Sequence, residues 1–244
     1  MLRLLIPAVL LALLGCSTGR ARALSSTQLP SAPADRGGAA IEPIEEPPKP
    51  VPLGERIAAR AAVAVGARSV KKVDRSLPND CTGLVRFAYA LSGVDLFSEG
   101  VPGQNGVSAM LRLARKRGAL HRGVPLPGDL IFFRETYDWN RDGRRNDGMT
   151  HIGVVESVDA EGTVTFIHRG RRGIHRSRVT PARPRERLGE AGHVLNEYLR
   201  PASARLRAYL TGELFSGYAS AAVLVGERPP PSSPAVSVSA AGAL

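Results

Sequence analysis

The chain has 244 residues, which is enough for one domain of ordinary size with tails or for two small domains. Hydrophobic residues make up 43% of the sequence, a share that excludes a wholly disordered protein. The net charge of +11 would suit nucleic-acid binding in a cytoplasmic protein, but the first segment of the chain argues against that compartment.

The N-terminus has the features of an export signal. A basic start at residues 1–3 precedes an apolar run at residues 4–14 that is too short to span a bilayer. The run ends in Leu-Leu-Gly before Cys16, which resembles the lipobox of bacterial lipoproteins. This resemblance implies lipidation at Cys16, and Ser17 after it implies the periplasmic face of the outer membrane. We therefore expect a signal peptide over residues 1–16, an N-terminal lipid anchor in the membrane and no nucleic-acid partner; a plain secretory signal cleaved elsewhere is the alternative.

Two further segments have the composition of flexible chain. Residues 17–52 are rich in Ser, Ala, Pro and Gly and lack apolar periodicity, which predicts a flexible, Pro-rich tether. Residues 227–244 begin in a proline run and are predicted to be disordered. The folded part is therefore expected between them.

Three helices are predicted in the first half of the folded part. Leu53–Ala67 carries apolar residues at helical spacing, a second helix begins near Cys81, and a third runs from Val107 to Lys116. Asn79 and Asp80 stand directly before the second helix and can cap its first turn.

The second half of the folded part predicts strands. Asp129–Phe133 is a short apolar run after a Pro-Gly turn, and His151–Val158 and Thr163–Arg169 flank an Asp-Ala-Glu-Gly turn, as in a hairpin. Val194–Leu199 could close the sheet. Helices followed by an antiparallel sheet indicate the α+β class.

Residues 201–226 are predicted to form a C-terminal helical extension after a main domain at residues 53–200. Apolar residues recur there at every fourth position, which is helical spacing: Leu206, Leu210, Leu214 and Tyr218. Such a helix could pack on the domain or form a small appendage.

The second cysteine, Cys81, is left without a disulfide partner if Cys16 carries a lipid. It is then either an inert core thiol or a reactive one. At the first turn of a helix, free backbone N–H groups and the macrodipole favour a thiolate. The N–H groups of Cys81 and Thr82 could also hold the oxyanion of a tetrahedral intermediate.

A thiol nucleophile needs a base, and histidine is the usual one. If Asp159 pairs with Gly162, Gly153 lies opposite His168, and His151 becomes its diagonal neighbour at roughly 7 Å between backbones. A three-residue loop with Gly162 as a bulge would instead put the two imidazoles on opposite faces of the hairpin. The remaining histidines are predicted in loops or turns, at His121, His175 and His193.

Four motifs occur in one order along the chain. They are Asp-Cys-Thr-Gly-Leu-Val at 80–85, Pro-Gly-Asp-Leu-Ile-Phe-Phe at 127–133, His-Ile-Gly-Val-Val at 151–155 and Phe-Ile-His at 166–168. Together they resemble the NlpC-type cell-wall cysteine peptidases, which are papain-like and have the CHAP amidases as close relatives. The resemblance implies a papain-like α+β fold whose N-terminal helices include a central Cys-bearing helix packed against an antiparallel sheet.

The same resemblance implies roles for single residues. Cys81 would be the nucleophile, His151 the base and His168 the residue that orients His151, while Asp129 would be structural. A histidine in the third position favours the NlpC branch over CHAP, where Asn or Glu is more usual. The implied substrate is peptidoglycan, cut at the bond from D-Glu to the diamino acid or, less favoured, at the muramoyl–alanine amide, by a monomer that needs no cofactor.

The segment between the second and third motifs departs from the family pattern. It is longer than usual and matches the opening of an EF-hand-type calcium loop, with oxygen donors and a turn glycine at Asp138, Asn140, Asp142 and Gly143. The twelfth position is Met149 instead of Glu, so a complete EF-hand is excluded. An irregular structural calcium loop closed by Asn146 or Asp147 and a plain solvated insertion remain the alternatives. If calcium binds, we expect it to order the loop and so to position His151.

Two other functions are consistent with the sequence. One is a non-catalytic, envelope-binding lipoprotein whose adhesive part is an arginine-rich run: Arg169, Arg171, Arg172, Arg176, Arg178, Arg183, Arg185 and Arg187. That run could equally be a solvated basic face with no dedicated partner. The other is a lipid acyltransferase on the same fold.

Overall fold

The computed structural model describes residues 49–204 and 206–226. The predicted signal peptide, the lipobox at Cys16, most of the tether and the C-terminal tail lie outside these residues. Within the two ranges, no helix combines the length and the apolar character needed to cross a membrane.

Three helices precede the sheet, close to where the sequence predicts them: α1 (Leu53–Val63), α2 (Cys81–Tyr89) and α3 (Gly106–Lys116). The side chains of Asp80 and Asn105 cap α2 and α3 by accepting hydrogen bonds from backbone N–H groups of their first turns. A short 3₁₀ turn at Val70–Lys72 lies between α1 and α2.

Eight strands follow: β1 (Leu120–His121), β2 (Leu130–Arg134), β3 (Met149–Val158), β4 (Val164–Gly170), β5 (Gly173–Val179), β6 (Tyr198–Arg200), β7 (Tyr209–Leu210) and β8 (Phe215–Ala219). Six of them form one antiparallel sheet in the order β1-β8-β2-β3-β4-β5, and β6 pairs with β7 separately. Helices together with an antiparallel sheet confirm the predicted α+β class.

Both faces of the sheet are covered. The helices bury one face, and a core that includes Leu84, Phe132 and Ile152 lies between them and the sheet. The opposite face has its own cluster, which includes Phe133 and Phe166. Because successive residues of a strand point to opposite faces, β2 can be apolar at four consecutive positions and serve both cores.

The prediction of a helical extension over residues 201–226, based on the spacing from Leu206 to Tyr218, is wrong for most of that segment. That segment forms β7, a short helix α4 (Thr211–Leu214) and β8, which lies inside the main sheet between β1 and β2, and it is followed by α5 (Ala221–Val225). Apolar residues four apart share one face of a helix and equally one face of a strand, so the spacing did not distinguish the two. Gly217, at φ 142° in the middle of β8, disfavours a helix.

The segment at 194–199 does not close the main sheet either. Tyr198–Arg200 pairs with β7 in the small second sheet, and β8 takes the place beside β2. The folded domain therefore continues through α5, beyond the predicted limit at residue 200, because Ala221 at the start of α5 donates a backbone hydrogen bond of 2.8 Å to buried Asp129.

Candidate active site

Cys81 is the first residue of α2, as the sequence predicts. The Asp80 carboxylate fixes this turn by accepting hydrogen bonds from the backbone N–H of Gly83, at 2.9 Å, and the hydroxyl of Thr82, at 2.7 Å. Residue 83 must be glycine, because a Cβ there would clash with the carbonyl oxygen of Pro78. The local sequence thus holds the thiol at the positive end of the helix.

The thiol of Cys81 is protonated at rest. Although the residue is partly exposed, burial raises its pKa to about 12, and the charge of Asp80 acts in the same direction. Backbone N–H groups of Ile152, Cys81 and Thr82 bond to the sulfur and lower the pKa, as expected of a helix N-terminus. The helix end thus favours the thiolate, as the sequence predicts, but burial has the larger effect on the pKa.

Helix α2 packs on strand β3, and the backbone of Ile152, one residue from His151, lies beside the Cys81 sulfur. The predicted oxyanion donors, the N–H groups of Cys81 and Thr82, face the same sulfur. The nucleophile candidate and the strand of the base candidate are therefore in direct contact.

The β3–β4 hairpin brings His151 and His168 to the same face of the sheet. A three-residue loop shifts the strand register by one residue, and a β-bulge shifts it back. The loop has three residues, 160–162, between Asp159 and Thr163, whose backbone N–H and carbonyl bond at 3.0 Å. Such a loop alone would put the two histidines on opposite faces. A β-bulge between Val155 and Ser157 shifts the register by one residue and restores the pairing Val154–Ile167.

The two imidazoles meet in the resulting register. Nε2 of His151 lies 2.7 Å from Nδ1 of His168, and the rings stand edge to face with centroids 4.9 Å apart. His151 is 8% exposed and His168 is 2% exposed, and the rings of Phe133 and Phe166 pack against them. The sequence predicts His151 and His168 as a pair, and the structure places them in contact.

Both histidines are neutral at pH 7. Burial lowers the pKa of His151 to about 4, helped by the charge of His175 and opposed by that of Asp80. Burial likewise lowers the pKa of His168 well below its usual value, and the charges of His151 and His175 lower it further. A neutral imidazole has one free lone pair, so His151 has the protonation state of a base.

The hydrogen-bond chain continues beyond His168 to two residues that the sequence did not reveal. Nε2 of His168 lies 3.1 Å from Oγ of Ser177, which in turn donates to the Glu197 carboxylate at 2.8 Å. Ser177 is on β5, a strand that was not predicted from the sequence because the arginines at positions 176 and 178 interrupt its apolar pattern. The sequence signal for this strand is the alternation of Ser177 with those two arginines, because successive residues of a strand point to opposite faces.

His175 is also on β5, which corrects its predicted loop position. It pairs with His168 across the β4–β5 ladder, with ring centroids 4.4 Å apart. His121 likewise lies on a strand, β1, with Nε2 at 3.2 Å from the carboxylate of Asp129. Only His193 lies in the predicted turn context, after a 3₁₀ turn.

Tyr137, from the segment between β2 and β3, lies beside the nucleophile. Burial raises the pKa of its hydroxyl, the negative charges of Asp80 and Asp147 raise it further, and an ionised Cys81 would act in the same direction. The side chain is 47% exposed. Tyr137 is therefore a partly exposed neighbour of Cys81, and no pattern in the sequence indicated it.

The predicted calcium loop is a compact exposed turn held by its own carboxylates. Asp138 accepts hydrogen bonds from the backbone N–H groups of Asp142 and Gly143, at 3.2 and 2.8 Å. Asp147 accepts from the N–H groups of Trp139 and Asn140, at 2.9 and 3.1 Å. Among the residues that the structure describes, no three His, Cys, Asp or Glu side chains form a group that could hold a metal ion.

Part of the arginine-rich run lies next to the start of α2. Nε of Arg169 donates to the Asn79 side chain at 3.3 Å, and the same oxygen accepts from the N–H of Val70 at 3.0 Å. Gly173 packs on the backbone of Ala67 and Arg68. Six cations lie on the two chain segments that meet at these contacts, and we call them the cationic rim: Arg68, Lys71, Lys72, Arg169, Arg171 and Arg172.

None of the rim's six members takes part in the ion pairs found among the described residues. Further along the arginine-rich run, Arg176 pairs with Glu156 at 2.6 Å and Arg183 with Glu186 at 3.6 Å. The other three arginines of the run take part in none of these ion pairs: Arg178, Arg185 and Arg187. Most of the run is therefore without an ion pair among the described residues, and through Arg169 it contacts Asn79, two residues before the nucleophile candidate.

Comparisons with known proteins give little further guidance. No protein-family model matches the chain, and no curated protein matches it. Among solved structures, the chain is similar to NlpC1 from Trichomonas vaginalis, with 22% identity, a TM-score of 0.29, and coverage of 50% of this chain and 38% of that one. The chain thus spans well under half of that protein, and a TM-score this low supports no argument about function.

Proposed function

We propose that the protein is a cell-wall cysteine hydrolase of the papain-like NlpC type, which cuts an amide bond in the stem peptide of peptidoglycan. The observation that carries the proposal is the placement of Cys81 at the N-terminus of a helix that packs on β3, with its sulfur beside Ile152, the residue after His151. The order of the four sequence motifs supports it.

The proposed reaction starts from a neutral thiol at Cys81 and a neutral imidazole at His151. His168 occupies Nε2 of His151, so Nδ1 of His151 is the ring nitrogen available to the thiol. This nitrogen takes the Cys81 proton as the sulfur attacks the scissile carbonyl, and backbone N–H groups of Cys81 and Thr82 stabilise the oxyanion. The imidazolium then protonates the leaving amine. Water, deprotonated by the same nitrogen, hydrolyses the thioester and regenerates the thiol.

The cationic rim supports an acidic substrate. Its six cations take part in none of the ion pairs among the described residues, and one of them, Arg169, contacts Asn79 just before α2, so the rim would attract the carboxylates of a stem peptide. We favour cleavage between D-Glu and the diamino acid over cleavage of the muramoyl–alanine amide, since a histidine in the position of His168 is more typical of the peptidases. Anchoring through Cys16 at the periplasmic face of the outer membrane belongs to the same proposal, because it would present the domain to this substrate.

The test is digestion of purified peptidoglycan by the full-length protein, with the soluble products identified by mass spectrometry. We expect the wild type to release fragments with new amino termini and Cys81→Ala to release none. Equal release by both proteins would contradict the proposal. Cosedimentation with peptidoglycan without any release would favour the non-catalytic, envelope-binding alternative instead.

A further inference from the structure

A hydrogen-bonded chain of four side chains runs from the proposed base to a carboxylate. It joins His151, His168, Ser177 and Glu197 through distances of 2.7, 3.1 and 2.8 Å. The first three residues are buried, and Glu197 is half-buried. Glu197 is held on both sides, because its N–H donates to Thr211 at 3.2 Å and its carbonyl accepts from the N–H of Thr211 at 2.8 Å.

The carboxylate determines the direction of every bond in this chain. A carboxylate only accepts, so the one hydroxyl proton of Ser177 must point to Glu197. Ser177 can then only accept from His168, whose Nε2 must carry a proton. A neutral imidazole has one N–H, so Nδ1 of His168 is a lone pair and accepts from Nε2–H of His151. Nδ1 of His151 is left as a lone pair.

We infer that Glu197 and Ser177 are positioning residues that, through His168, hold His151 in the tautomer with an unprotonated Nδ1. The catalytic meaning of this arrangement rests on the proposed function, but the arrangement of protons does not. The opposite tautomers would require Ser177 to donate to His168, and a buried hydroxyl oxygen would then face the carboxylate without a proton between them.

The other residues that contact His151 and His168 do not change the direction of these hydrogen bonds. His175 packs on the face of His168 and directs its own Nδ1 to the carbonyl of Gly173 at 3.1 Å. Phe133 and Phe166 contribute only apolar surface. Both ring nitrogens of His168 are engaged within the chain, so its tautomer follows from Ser177 alone.

The inference is tested by the ¹⁵N spectra of the histidine rings at pH 7 in the full-length protein, with each ring assigned from a His→Gln variant. We expect the wild type to show the Nε2–H tautomer at both His151 and His168. Glu197→Gln supplies an amide that can donate to Ser177, so we expect mixed tautomers. Glu156→Gln, on the same sheet but outside the chain, is the matched control and should leave both rings unchanged.

A second pair of variants keeps the test valid if Glu197→Gln fails to fold. Ser177→Ala breaks the chain, whereas Ser177→Thr retains a hydroxyl, so the single tautomer should be lost in the first and restored in the second. In hydrolysis assays we expect Ser177→Ala to lower kcat by at least about tenfold with little change in KM, since only orientation of the base is lost.

The two proposals fail separately. An Nδ1–H tautomer at either ring of the wild type, or unchanged tautomers in both Glu197→Gln and Ser177→Ala, would overturn the inference whether or not the protein cleaves peptidoglycan. The expected tautomers in a protein that releases no fragments would uphold the inference and refute the hydrolase proposal.

Discussion

The buried chain from His151 to Glu197 and the exposed loop at 138–147 are both networks of polar side chains, but their surroundings differ. In the chain, an unmade hydrogen bond would leave a buried polar atom without water, at a cost of about 1–3 kcal/mol. In the loop, most side chains are exposed and water can replace a lost bond, so each contributes less; the buried Oδ2 of Asp147 is an exception. The buried network therefore fixes the positions of its protons, whereas the order of the exposed loop depends on its surroundings. Changes in the buried chain should therefore have large effects on activity and stability, and changes in the loop small ones.

The largest effect is expected from removing the base. His151→Ala should lower kcat/KM on peptidoglycan fragments by about 10²–10⁴-fold, because the proposal assigns the transfer of the Cys81 proton to His151. His193→Ala, in an exposed turn where the ring bonds only to a backbone carbonyl, is the control. A loss of less than about tenfold for His151→Ala would remove this residue from the mechanism.

Acid should destabilise the protein through the buried histidines. The pKa of His151 is about 4 in the folded state and about 6.5 in the unfolded chain. The unfolded state therefore binds more protons below pH 6.5, so stability is fully present above that pH and is lost as the pH falls towards 4. For His151 alone the loss reaches about 3 kcal/mol.

Urea denaturation between pH 7 and pH 4 measures this loss. The free energy of unfolding should fall over the interval, and His151→Gln should flatten the slope. An equally steep slope in His151→Gln would show that other groups carry the pH dependence.

Two replacements of His168 distinguish its role as a hydrogen-bond acceptor from a role in filling space. His168→Leu leaves the N–H of His151 without an acceptor, and we expect a loss of about 1–3 kcal/mol in unfolding free energy together with most of the activity. His168→Asn can still accept that hydrogen bond, so it should retain more of both. Equal stability and activity in the two variants would mean that His168 only fills space.

The smallest effect is expected in the loop. If calcium binds to Asp138, Asn140, Asp142 and Asp147, a concentration of ten times the dissociation constant should stabilise the protein by about 1.4 kcal/mol and raise Tm by a few degrees. Asp142→Asn should weaken this response, and Glu161→Gln, in the exposed hairpin turn, should not. A thermal melt that is the same with calcium and with EDTA would leave the loop a solvated insertion.

Local patterns were enough to predict the first three helices, the hairpin and the position of Cys81. The Asn-Asp pair before Cys81 is a short-range capping signal, and the apolar spacing of α1 and α3 reflects burial of one helix face. The contact between His151 and His168 was predicted only under one register, because the bulge that restores it depends on packing of the hairpin against its neighbours.

Other features depend on distant parts of the chain and left no local signal. Glu197 reaches Ser177 from a segment twenty residues away, in a connection set by the fold. Strand β8 joins the sheet beside β2 although more than eighty residues separate them. The raised pKa of Cys81 likewise follows from burial, which depends on packing that no motif describes.

The central claim is that the Cys81 thiol carries out the cleavage. In Cys16→Ser, Cys81 is the only remaining cysteine, so an alkylating agent applied at alkaline pH modifies this thiol alone. The measurement compares the rate of fragment release from peptidoglycan with the fraction of protein alkylated, read from the intact mass. We predict that release falls in proportion to the unmodified fraction and reaches zero at full modification. Undiminished release by fully alkylated protein would contradict the account.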